Sequence, residues 1–123
     1  MKLNEDTDYM PYVLGRLFAV LEDIQRSAIG KETLRDRYFN AASSTPAVVF
    51  PQLIKLSNSH LRVLEREKKG LQVNKEKEMG QLMGKIKESF PTSLSLEDQG
   101  IFMVGYYHQI QKFYAKKSND KED

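Results

Sequence analysis

An all-α fold, a compact bundle of about five helices with no sheet, is predicted by three observations. Apolar residues recur at the helical period of about 3.6, and nothing alternates convincingly in twos. The segments between the periodic stretches are short, which favours antiparallel neighbours in one bundle. The 123 residues, 40% of them hydrophobic, suffice for one core and not for two. A single helical-bundle domain is therefore expected over residues 9–117, between an acidic, flexible N-terminus at 1–8 and a flexible, charged tail at 118–123.

The first helix is expected from about Asp8, its N-cap, to about Ala28, with Pro11 in the first turn and Gly30 as the stop. Its stripe is Met10, Leu14, Leu17, Phe18, Leu21, Ile24 and Ala28. A short second helix covers about Glu32 to Ala42, with Leu34, Tyr38 and Phe39 turned inward. Thr45 then caps a third helix that has Pro46 at its first position and runs to about Lys69, ended by Gly70 in a left-handed cap. Pro51 predicts a kink there or a later start near Gln52. The fourth helix is expected from about Asn74 to Ser89, with Met79, Leu82, Met83, Ile86 and Phe90 on one side and Pro91 closing it. Ser95-Leu96-Glu97-Asp98 reads as a capping box, with Leu94 as its staple, for a fifth helix continuing to about Lys117. This last helix carries Leu96, Phe102, Met103, Tyr106, Tyr107, Ile110, Phe113 and Tyr114, and is expected to be central. Gly100 and Gly105 within it mark sites where a neighbouring backbone comes close, and Gly80 and Gly84 hint at the same.

Composition excludes several functions. There is no cysteine, so a disulfide framework, a thiol nucleophile and thiolate-ligated metal are all ruled out. No run approaches the roughly 20 apolar residues of a membrane span. The start turns acidic before any apolar stretch, unlike a secretory signal, so a cytoplasmic protein is expected. The two imidazoles, His60 and His108, read as packing residues, and the Ser43-Ser44-Thr45 cluster has no histidine beside it in sequence. Glu97 and Asp98 are too few for a metal, and no phosphate-cradling glycine loop is present. Neither catalysis nor a cofactor nor a metal is expected.

The net charge is only +2, yet residues 9–117 carry 17 basic against 11 acidic residues, so the body is basic between acidic ends. On a wheel of about 100° per residue with Lys55 at the origin, Arg62, Arg66, Lys69 and Asn58 lie within about 60° of it. Leu53, Leu56, His60 and Leu64 fall on the other half. Glu65 and Glu67 lie off the row, which spans roughly 21 Å at 1.5 Å per residue, a length matched to several phosphates. The competing reading is a solvated face that keeps the protein soluble. Lys31, Arg35 and Arg37 form a second basic group, with Arg37 equally able to pair within the fold. Lys75, Lys77, Lys85 and Lys87 are offset by Glu76, Glu78 and Glu88 through i,i+3 and i,i+4 pairs, while Arg16 and Arg26 can pair with Glu22 or Asp23. Tyr9, Tyr12 and Tyr38 are the aromatic residues that could be exposed for base stacking; backbone tracking fits better than base readout.

Three runs resemble one family: Leu14-Gly15-Arg16-Leu17-Phe18-Ala19-Val20-Leu21-Glu22, Asp36-Arg37-Tyr38-Phe39 and Gly105-Tyr106-Tyr107-His108-Gln109, in this order and joined by Val49-Phe50-Pro51. The stretch from Tyr9 to Tyr114 is similar to the C-terminal helical region of the large subunit of the type I-C CRISPR effector, Cascade. In that family the region is also made as a separate small subunit by internal translation, and a chain starting at Met1 just before it is similar to that product. The resemblance implies a helical bundle stacked beside the large subunit, the backbone subunits that hold the guide RNA, and another copy of itself. It further implies help in stabilising the R-loop, with a basic surface toward the displaced strand of the target DNA, and no nuclease activity. The matching residues are mostly packing positions, so the contact residues rest on the wheel: Lys55, Asn58, Arg62, Arg66 and Lys69, then Arg35, Arg37 and Lys31. The alternative is a purely structural protein-interaction module whose basic ridge docks on acidic protein surfaces.

Overall fold

The computed structural model describes residues 4–86 and 89–122, the side chains of 116–122 apart. Its elements are α1 (Met10–Ile29), α2 (Leu34–Ser44), α3 (Pro46–Glu67), α4 (Lys69–Gly84) and α5 (Leu96–Glu122), and the described residues contain no strand. The expected five-helix bundle is thus what forms. Its centre differs from the expectation. Every residue from Pro11 to Gln25 of α1 is buried, and α1 packs against all four other helices, so α1 and not α5 is the central rod. The charged residues on α1 read locally as a solvent face, but each finds a partner from elsewhere in the chain. Arg16 Nε donates to Gln109, Glu22 accepts from the Tyr106 hydroxyl, Asp23 pairs with Lys75, and Gln25 bonds Thr33. Among the described side chains of α5, only a narrow stripe of Phe102, Gly105, Tyr106, Gln109 and Phe113 is buried, while Leu96 is 86%, Tyr114 59% and Met103 47% exposed.

Two glycines set the α1–α5 distance. A Cβ at Gly105 would stand 2.2 Å from the Tyr12 carbonyl oxygen, and one at Gly15 would stand 2.0 Å from that of Phe102. Expected close approach is therefore found at Gly105 but not at Gly100, Gly80 or Gly84, where an added Cβ would meet no other part of the fold within 4 Å among the described residues. Around this crossing the rings of Phe18, Phe39, Phe102 and Tyr106 meet edge-on or tilted with centroids 5.1–6.1 Å apart, and Phe50 stacks on Phe90 at 5.3 Å.

Several helix ends differ from the sequence expectation. α1 has its N-cap at Tyr9 and not at the expected Asp8, and no side chain caps it; the Thr7 hydroxyl accepts from the Tyr9 amide. Gly30 ends it in the left-handed region at φ 76°. Thr45 holds the N-cap position of α3 as expected but makes no side-chain cap bond; its hydroxyl donates back to the Ala41 carbonyl of α2. α3 starts at Pro46 and contains Pro51, so a later start is excluded. Its free Ala47 amide is satisfied by the Pro91 carbonyl at 2.9 Å, and Leu94 bonds Ser44 in the same connector. Gly70 is no left-handed cap: the chain breaks at Lys68 (φ −147°, ψ 67°) and α4 begins at Lys69, not Asn74. Continuing α3 straight would carry Leu71, Met79 and Leu82 away from the core, and their burial outweighs local helix propensity. α4 ends at Gly84 before the expected Ser89; Lys87 and Glu88 lie outside the described residues. At α5 the Ser95 hydroxyl accepts from the Asp98 amide at 3.1 Å as expected, but Asp98 accepts from the Tyr9 hydroxyl at 2.7 Å instead of closing a capping box. The backbone of α5 continues to Glu122, past the expected Lys117.

Candidate nucleic-acid interface

α3 is amphipathic because its inner residues repeat at three and four: Leu53, Ser57, His60, Leu61 and Leu64 are buried. Lys55, Asn58, Arg62 and Arg66 stand on the outer face and are all exposed. Among the described residues, no carboxylate forms a salt bridge with Lys55, Arg62 or Arg66. Lys69 leaves the row, since it is the first residue of α4 beyond the break at Lys68. The row therefore spans about 17 Å from Lys55 to Arg66 at 1.5 Å per residue, a turn shorter than the sequence implied. Leu56, expected on the inner half, is exposed because it lies at the edge of the buried arc, about 100° from Lys55. From Lys55 to Arg66 this face carries cations and small polar groups, which gives that side of the helix a positive potential.

The second basic group is dispersed. The Arg35 guanidinium is turned onto α5, 5.3 Å from the Tyr107 ring centroid and 5.6 Å from that of Tyr106, and it donates to the Tyr107 hydroxyl. Arg37 and Lys31 are exposed, and neither forms a salt bridge among the described residues. Lys75 is buried, paired with Asp23 and 4.1 Å over the Phe113 ring, so it serves the core through α1 and not through an i,i+4 pair. Arg26 bridges Asp23 and Glu32, in line with the expected pairing on α1. Of the three tyrosines considered for stacking, Tyr9 is half exposed and Tyr38 partly so; Tyr12 is buried, its hydroxyl 2.7 Å from His108 Nδ1.

The buried polar groups divide by their partners. His60 is a packing residue, but its Nδ1 has no hydrogen-bond partner among the described residues, and burial pushes its pKa down. Burial raises the pKa of Glu22, partly offset by the hydrogen bond from Tyr106, while burial and that same bond push the Tyr106 hydroxyl far up. A carboxyl whose folded pKa is raised contributes stability below its unfolded value near 4.5 and loses it as pH rises through the folded value. Glu22→Gln, which keeps an acceptor for Tyr106, is therefore expected to raise the thermal midpoint at neutral pH, with the gain shrinking in mild acid.

Sequence reading missed one cluster. Arg16 is 5% exposed, bonds Gln109 Oε1 through Nε at 2.9 Å, and leaves Nη1 buried without a partner among the described residues, a condition that ordinarily costs about 1–3 kcal/mol. Burial also lowers its pKa. The available signal was an arginine in the middle of the longest apolar run.

Among the described residues no three His, Asp or Glu side chains are placed to hold a metal ion, and no helix is long and apolar enough to cross a membrane. No curated protein matches the chain. The family model for the CRISPR-associated protein (Cas_Csd1) matches residues 1–114, which takes in all of the bundle up to Tyr114 and the three runs that carried the resemblance. The chain belongs to the CRISPR-associated Cas_Csd1 family, and with it to the components of CRISPR effector complexes.

Proposed function

We propose that this chain is a non-catalytic, cytoplasmic small subunit of a type I-C CRISPR RNA-guided surveillance complex that stabilises assembly and the R-loop through backbone contacts to the displaced DNA strand. The observation that carries the reading is the row of Lys55, Asn58, Arg62 and Arg66, exposed on one helix face with its three cations free of salt bridges among the described residues. A row of cations along one helix face, without base-reading geometry, favours contacts to phosphates over sequence recognition. Arg37, Lys31, Lys69 and Arg35 are secondary contacts in this reading.

A second face supports the assembly half of the proposal. Leu96, Met103, Tyr107 and Tyr114 fall within about 20° of one line along α5, and three of them are largely exposed. α3 and α5 both pack on α1, with no close backbone contact between them among the described residues. The bundle can thus turn cations to DNA while an apolar strip packs on the large subunit, on the backbone subunits around the guide RNA, or on another copy of itself. A purely structural module, docking by the ridge on acidic protein, is the competing reading.

Binding of single-stranded DNA by the isolated subunit tests the ridge. Affinity should fall with salt at about 0.7 log units per log unit for each phosphate neutralised, and Arg62→Gln/Arg66→Gln should flatten that slope by roughly 1.4. An unchanged slope in the folded variant removes the ridge from the interface. A competing structural role would instead show as expulsion of the subunit from the complex by salt before any release of DNA.

A further inference from the structure

The acidic N-terminal segment has an occupation that the ridge does not explain. A cleft of about 420 Å³ is walled by Arg16 of α1, Lys85 just beyond α4 and Lys112 of α5. The fixed acidic group in its wall is Glu78, whose carboxylate is already held by Gln109 Nε2 at 2.7 Å. The other carboxylates come from the segment before α1. Glu5 pairs with Lys112, and Lys85 Nζ donates to the Glu5 carbonyl at 2.6 Å and the Thr7 carbonyl at 3.2 Å, with Asp8 Oδ1 3.4 Å away.

We infer that this cleft is a phosphate site that the Glu5–Asp8 strap fills with its own oxygens and that a phosphate group enters by displacing the strap. Three cations, from α1, α5 and the turn after α4, converge where the permanent wall supplies one carboxylate. Arg16 is the independent mark of a ligand: it is 5% exposed, and its Nη1 is buried with no hydrogen-bond partner among the described residues while Nε is fixed by Gln109. A guanidinium anchored at one nitrogen and unsatisfied at another is preorganised for an oxyanion. The strap is lightly held, because the Glu5 and Asp8 side chains are 55% and 60% exposed and such ion pairs are weak. Asn4 ties its far end with one bond from its amide to the Tyr12 hydroxyl. Nothing in the cleft belongs to α3, so this site stands or falls apart from the ridge.

Free phosphate and a nucleic-acid backbone share the tetrahedral oxyanion chemistry, and two probes separate them. The full chain is titrated with inorganic phosphate and with a single-stranded oligonucleotide while the Arg16 Nε–Hε signal is followed by NMR. Glu5→Gln is expected to tighten binding about threefold, in keeping with release of one exposed ion pair. Asp6→Asn makes the same change in charge one residue away, at a carboxylate without a salt bridge among the described residues, and should tighten it less. Lys112→Gln in the Glu5→Gln background should abolish the gain. A response to the oligonucleotide alone assigns the site to backbone phosphodiesters, and a response to inorganic phosphate alone assigns it to a free anion. Equal effects of Glu5→Gln and Asp6→Asn, or an Arg16 signal that neither probe moves, overturn the proposal.

Discussion

Alanine at Gly105 or at Gly15 is expected to destabilise the protein by about 3 kcal/mol, the upper range for overpacking a filled interior. The added methyl would lie 2.2 Å from the Tyr12 carbonyl oxygen or 2.0 Å from that of Phe102. Both obstacles are backbone, so no side chain can swing aside and α1 must part from α5. Parting those helices loosens the contacts of Phe18 with Phe102 and Tyr106, which form the centre of the core. In the opposite direction, Gly→Ala raises helix propensity by about 1 kcal/mol. Gly80→Ala and Gly100→Ala receive only that gain, since open space surrounds both positions. Urea unfolding midpoints of the four variants should therefore divide two against two. Equal tolerance at Gly105 and Gly100 would contradict the α1–α5 crossing.

Asp23→Ala should be of similar size, about 3 kcal/mol, for an electrostatic reason. Asp23 is buried on α1 and pairs with Lys75 of α4 and Arg26 of its own helix. Removing the carboxylate strands the Lys75 ammonium in the interior with, among the described residues, the Phe113 face for compensation. Replacing both partners removes the stranded charge, so Asp23→Ala/Lys75→Met should be far less unstable than the sum of the single variants. A double-mutant cycle measured by denaturation checks this; additive effects would mean that Lys75 remains solvated.

Local signals carried the helix count, the stop at Gly30 and the Ser95 cap, because each depends on a few neighbouring residues, and left the start of α3 open between Pro46 and Gln52. The central position of α1 was not legible. Arg16, Glu22 and Asp23 interrupt its apolar run like a solvent face, and their partners Gln109, Tyr106 and Lys75 lie far along the chain. The break at Lys68 likewise answers to burial of Met79 and Leu82, while Gly70, a good cap in isolation, sits unused inside α4. This is also why the ridge was read nearly whole and yet one residue too long. Angles within a helix are local, so Lys55, Asn58, Arg62 and Arg66 emerge together; the place where the helix stops is a tertiary matter, and it removed Lys69. The cleft around Arg16 joins three elements and the N-terminal segment, and no single window of sequence contains it.

The exposed row on α3 is the centre of the functional account, and charge reversal within the assembled complex examines it most directly. Arg62→Glu/Arg66→Glu should leave the helical content of the subunit and its incorporation unchanged, because neither side chain packs in the core. Affinity of the complex for target DNA should fall at least about tenfold, since two phosphate contacts become repulsions. Lys77→Glu, an exposed reversal on α4, should have a much smaller effect. Undiminished DNA affinity in a correctly assembled Arg62→Glu/Arg66→Glu complex would contradict the account.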